Sequence, residues 1–186
     1  QLKVPSNKPP ARAVFSFLRD RLRWIPEDRQ TEKQRLTMEA HLVGAETLKI
    51  NPKTGTTSFG TLPELTLSRG LVIPAGDIIL KDGRIWREKK GTLGGFGAKH
   101  IWQDHRRELI EHGYNTKQDI PRFVSDIIVT GADVFHESNK GARVNILQSS
   151  LGIVILEFAV KDGSTTHSVI SAYTRKTSRG TRVHTI

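Results

Sequence analysis

The sequence predicts an α+β chain: helices first, then a helix packed on a twisted antiparallel β-sheet. Three observations carry that expectation. Val14, Phe15, Leu18, Leu22 and Ile25 recur at helical spacing until Pro26 breaks the pattern. A second helix-compatible run covers 98–112 and meets a natural stop at Gly113. The last third holds three β-branched runs, "ARVNILQ", "LGIVILEFAV" and "TTHSVISAYTR", separated by Ser149-Ser150 and by "KDGS". These predict a three-stranded antiparallel meander.

In chain order, the first ten residues carry Pro5, Pro9 and Pro10 among polar residues and read as an arm or linker. After the Val14–Ile25 helix, "EDRQTEKQRLTMEAHLVG" predicts a second, highly charged helix ended by Gly44. Its interleaved signs describe a solvated face. From Thr47 the period changes. "TLKINPKTGTTSF" predicts a hairpin, and "GDIILKDGRIWRE" a stronger one with Asp82-Gly83 at its turn. "REKKGTLGGFG" then divides an N-terminal portion from the rest, and "TKQDIPRFVSDIIVTG" predicts a helical turn followed by a strand.

Composition narrows the partners. The 186 residues carry 29 Lys and Arg against 19 Asp and Glu, a formal charge of +10 that favours a polyanion. With no cysteine in the chain, disulfides and thiolate metal sites are excluded. No apolar run approaches the roughly 18 residues that span a bilayer. The opening "QLKVPSNKPPAR" lacks the apolar core of a secretory signal, and the chain reads as a fragment of a larger protein.

The stretch "GGFGAKHIWQDH" concentrates chemistry: glycines lead into a helix bearing His100, Asp104 and His105. On a helical wheel Ile101, Trp102, His105 and Leu109 share one face, while His100, Asp104, Arg107 and Glu111 share the other. His100 is expected in the polar first turn beside Lys99, where backbone N–H groups attract anions. A five-residue spacing puts the two histidines about 140° apart on the helix, which does not suit a shared metal, so no metal site and no cofactor are expected. The glycines match neither a P-loop nor a dinucleotide fingerprint, and no G-x-S-x-G elbow occurs. What remains is acid–base chemistry on a phosphodiester, for which imidazole is suited and cations steady the transition state. Strict alternation puts His167, Ser171, Tyr173 and Arg175 on one face of the last meander strand, where Arg143 and Asn145 could join them.

The glycine-to-helix segment followed by a β-meander ending in "HSVISAYTR" resembles the phage and polymorphic-toxin nucleases of the barnase–EndoU–colicin–RelE superfamily. In these a G-x-G-x-x-H-I-type segment opens a helix, and a Ser or Thr on the last strand completes the site. The resemblance covers roughly residues 75–176. It implies a helix on a twisted sheet and a metal-independent ribonuclease toxin, acting on tRNA or other cellular RNA by 2′-OH transesterification. It implies delivery as part of a larger protein into the cytoplasm of a target cell, and neutralisation by an immunity protein expected to be acidic. Carried onto this chain, His100 and His105 match the helix histidines, with His100 expected to do the acid–base work and His105 to be its partner or a buried orienter. Ser171 and Tyr173 match the last-strand pair and are expected to contact the scissile phosphate. Lys99, Arg143 and Arg175 are the expected grips on the RNA backbone. Lys99 departs from the family pattern, which has an apolar residue before the first histidine. On this reading 75–186 is the nuclease domain and 1–74 an extension for delivery, processing or docking. A non-catalytic nucleic-acid-binding module and a structural phage or secretion component are the alternatives.

Overall fold

The computed structural model describes residues 46–67, 70–87, 93–137, 144–161, 163–174 and 180–186, all within the compact unit Leu42–Ile186. The two helices expected before Gly44 lie outside the described residues. In chain order the elements are β1 (Ser58–Leu62), β2 (Leu65–Thr66), β3 (Val72–Ile73), β4 (Gly76–Ile79), β5 (Arg84–Arg87) and β6 (Leu93–Phe96). The helix α1 (Gly97–Glu111), a 3₁₀ turn (Lys117–Asp119) and the helix α2 (Ile120–Ile127) follow. Then come β7 (Asp133–His136), β8 (Val144–Gln148), β9 (Ile153–Lys161), β10 (Ser164–Tyr173) and β11 (Thr181–Thr185). The protein is α+β.

Seven strands form one curled sheet in the order β1-β4-β10-β9-β8-β7-β11, with β2/β3 and β5/β6 as separate two-stranded pieces. Every neighbouring pair in the large sheet is antiparallel except β4 and β10, which run parallel. The meander is present as β8, β9 and β10, with Ile146 opposite Ile155 and Val154 opposite Ala172. Its strands are β-branched because they are buried on a pleated surface, where such side chains pack well. β1 precedes the expected division at 74/75 and pairs with β4, which follows it.

The expected hairpin at Asp82-Gly83 does not form. β4 lies between β1 and β10, and β5 pairs with β6. The backbone around the turn is already occupied: Leu80 O accepts from Lys49 N, and Asp82 N donates to Thr47 O. Lys81 O and Asp82 O accept from the first amides of α1, at Ala98 and Lys99. A strand whose ladder groups are taken on both sides cannot fold back on itself. The earlier hairpin is also opened out. Its turn is closed by Asn51 N–H to Thr56 O at 2.7 Å. The two arms, however, lie end to end along the 76–82 segment, through the Leu48–Lys81 bridge and through β1.

In "TKQDIPRFVSDIIVTG" the helical turn is followed by a full helix, and the strand begins later, at Asp133. Ile120, Phe123, Val124 and Ile127 recur at helical spacing and are all fully buried, so the apolar run is better satisfied as a helix face. These residues meet Ile101 and Leu109 of α1 and Leu147, Val154, Leu156, Val169 and Ala172 of the sheet in one hydrophobic core. Each of the larger of these side chains contributes about 1.5–3 kcal/mol on burial. Tyr114 closes the turn between the helices, its hydroxyl donating to Asp126 and its ring stacking edge-on against Phe123. Burial and that hydrogen bond push the Tyr114 phenol up to about 12.

Candidate functional site

α1 is held at its N-terminus by backbone packing. Gly83 has φ +75, and a Cβ there would lie 1.8 Å from Phe96 O, so β5 and the start of α1 touch backbone to backbone. Gly95 faces the helix: a Cβ on it would come within 2.8 Å of His100 Nδ1. This answers why glycines precede the helix. They let β6 lie directly under the first turn, and they leave room for the His100 ring.

His100 is therefore not a solvated residue of the polar side. Its side chain is 14% exposed, lies against Gly95, and has Nδ1 3.4 Å from Asp104 Oδ2. The first amides of α1 are not open to an anion either, since Ala98 and Lys99 N–H donate to the carbonyls of Lys81 and Asp82. Wheel geometry holds on the other face, where Ile101 and Leu109 are buried and Trp102 packs against the core.

His105 shares that face and reaches β10. β4 pairs with β10 only over Thr166–Ser168, and α1 packs on β10. His105 Nε2 is 3.5 Å from Ser171 Oγ, and its ring centroid is 5.2 Å from that of Tyr173. On the other side of the ring, Nδ1 is 3.7 Å from Glu108 Oε2. Glu108 is fixed in turn, since its Oε1 accepts from both the backbone N–H and the hydroxyl of Thr174. Carboxylate, imidazole and hydroxyl thus stand in line, the arrangement in which an acid orients a ring and the ring's far nitrogen exchanges a proton. Ser171 is nearly buried, while the His105 and Glu108 side chains are 25% and 36% exposed, so the line opens toward solvent from the helix side.

The strict alternation expected in β10 is broken by a bulge. Val169 pairs with Leu156 but Ser171 with Ile155, so one extra residue stands between them. His167, Val169 and Ala172 consequently share the core face with Phe158, Leu156 and Val154, while Ser171 and Tyr173 lie on the opposite face. His167 does not join the candidate site. It is fully buried beside Phe158, and its Nε2–H donates to Pro74 O at 2.9 Å. Burial lowers its pKa below the ordinary histidine value, and the Pro74 carbonyl offsets this only in part. Asn145 is also on the core face, opposite Leu156, with Oδ1 3.4 Å from His136 Nδ1.

Lys99 is not aimed at the His105 line. Its ammonium is 2.7 Å from Asp82 Oδ2. Arg143 and Arg175 lie outside the described residues. Two residues of the cluster, Glu108 and Thr174, escaped the sequence reading. Glu108 is three residues after His105, a spacing at which helical side chains meet, and that was the available signal. Thr174 had none, since its contact is 66 residues away in sequence. Among the described residues no three His, Asp or Glu side chains converge as a metal-binding set, and no helix is long and apolar enough to cross a membrane. No protein-family model, curated protein or solved structure matches the chain.

Proposed function

We propose that the chain carries a metal-independent ribonuclease domain of the barnase–EndoU–colicin–RelE type, acting as a toxin on tRNA or another cellular RNA. The observation that carries this reading is the His105 imidazole between the Glu108 carboxylate and the Ser171 hydroxyl, with Tyr173 beside it. His105 Nε2 takes the proton of a ribose 2′-OH, and the freed oxygen attacks the adjacent phosphorus. The P–O5′ bond breaks, the Tyr173 phenol protonates the departing 5′-oxygen, and a 2′,3′-cyclic phosphate remains. Ser171 donates to a phosphate oxygen, and Glu108 keeps the ring oriented and supports its positive charge.

The same line of groups is that of a serine nucleophile, and the net charge of +10 favours the polyanionic substrate. The two chemistries separate at Ser171→Ala. A lost phosphate contact costs about 10²–10³-fold in rate, as for one donor to a transition-state oxyanion. A lost nucleophile removes turnover altogether.

In this reading the domain is delivered as part of a larger protein into a target cell's cytoplasm, residues 1–74 serve delivery or docking, and an acidic immunity protein covers the basic surface. The test is incubation of the purified chain with total RNA in EDTA, with analysis of fragment ends. Fragments ending in 2′,3′-cyclic phosphate and 5′-hydroxyl are expected. Cleavage that requires magnesium or zinc overturns the mechanism, and RNA binding without cleavage moves the function to a binding module.

A further inference from the structure

Asp82 gathers three lysines. Lys49 Nζ is 2.7 Å and Lys117 Nζ 3.2 Å from its Oδ1, and Lys99 Nζ is 2.7 Å from its Oδ2. The three come from different places: the segment beside the Leu48–Lys81 bridge, the first turn of α1, and the 3₁₀ turn after it. The carboxylate lies at the bottom, its side chain 12% exposed, and the lysine side chains around it are 30–40% exposed. Burial alone pushes Asp82 up, yet the hydrogen bonds of Lys49, Lys99 and Lys117 outweigh it and hold the carboxyl well below the usual range. As a carboxylate it neutralises one of the three cations.

The remaining charge is what a structural clamp does not explain. One carboxylate satisfies one ammonium, and the second and third add mutual repulsion. The two on Oδ1 are no more than about 6 Å apart, given their distances to the shared oxygen. Each ammonium has three donor protons, more in total than one carboxylate accepts. A backbone phosphate seated on the three would offset one of the two uncompensated charges and use those donors.

Building on the RNA reading above, we propose that Lys49, Lys99 and Lys117, organised by Asp82, form a subsite for a backbone phosphate of the RNA strand. Lys99 is six residues from His105, about 9 Å along the helix axis at 1.5 Å per residue. The subsite therefore engages a phosphate other than the one at His105.

The test uses a 2′-O-methyl oligoribonucleotide, which the chain cannot cleave, and fluorescence anisotropy over a salt series. Single-strand contacts give about −0.7 in log–log slope each. Lys49→Gln with Lys117→Gln, leaving Lys99 as the counter-ion of Asp82, removes that one phosphate contact and is expected to flatten the slope by about 0.7. The corresponding Arg pair is expected to keep it. If the Gln pair does not fold, judged by thermal unfolding, Lys117→Gln alone is measured, with a flattening of about half that size expected. An unchanged slope overturns the subsite, as does a wild-type chain that does not bind the oligonucleotide. So does an unchanged RNA slope accompanied by loss of poly-glutamate binding, which assigns the lysines to an acidic protein. Because no cleavage is read, slopes as expected in a chain that leaves RNA intact in EDTA keep the subsite and remove the ribonuclease.

Discussion

The two helix histidines, five residues apart, sit in different worlds. His105 touches the β10 hydroxyl and the Glu108 carboxylate, whereas His100 fills the space that Gly95 leaves over β6. His105→Ala is expected to cut RNA cleavage by about 10²–10⁴-fold, the usual contribution of a positioned acid–base group. His100→Ala is expected to keep cleavage within a few-fold and to lower stability by about 1 kcal/mol, because it empties a mostly enclosed site. Cleavage rates and urea unfolding of the two variants check both outcomes; a silent His105→Ala would sink the proposed mechanism. Glu108→Gln keeps the contact to Thr174 but removes the charge that supports an imidazolium. Its pH–rate profile is expected to shift its acid limb downward, and an unmoved profile would confine Glu108 to structure.

At the scale of elements, the join between β5 and α1 is decided by close backbone contact. Gly83→Ala meets two costs: a left-handed φ of about 1–2 kcal/mol, and a Cβ driven to 1.8 Å from Phe96 O. Gly113→Ala meets only the first, since nothing lies within 4 Å of a Cβ there. Gly113→Ala is thus expected to lose about 1–2 kcal/mol, and Gly83→Ala substantially more, in urea unfolding. Equal losses would contradict the close approach. The β10 bulge has a matching logic. It turns Ser171 and Tyr173 away from the core that takes Val169 and Ala172, so beyond the bulge one face of the strand serves the core and the other the candidate site.

For the whole molecule, two buried titratable groups shape stability against pH. The folded pKa of His167 lies below its ordinary 6.5, so the unfolded chain binds the proton first as pH falls. Its neutral form is matched to the Pro74 carbonyl above about pH 6.5, and stability declines as pH drops below that value. Asp82 acts lower down: its folded pKa is held beneath the ordinary 3.8, so its contribution is intact above that pH and lost as pH falls further. Thermal unfolding between pH 8 and pH 3 is expected to show both declines. His167→Gln, whose amide can still donate to Pro74 O, is expected to remove the upper one, and Asp82→Asn the lower. A first decline that persists unchanged in His167→Gln would move its origin to another group.

The sequence by itself determined what depends on neighbours along the chain: that 98–112 is a helix with His105 on its apolar face, and that three late runs form a meander. Those features follow from periods of 3.6 and 2 and from turn chemistry, all legible over a few residues. Tertiary structure decided what depends on partners. Nothing local says that Leu80–Asp82 spends its backbone groups on Thr47, Lys49 and the start of α1, which is why the expected hairpin at Asp82-Gly83 dissolved into two separate pairings. Nothing local marks the extra residue before Ser171 either, yet because strand side chains alternate with period 2, that one residue sent His167 into the core and Ser171 to His105. Periodicity is written in the chain, whereas register is set by the competition of distant strands for the same backbone donors and acceptors, and the candidate site is a consequence of register.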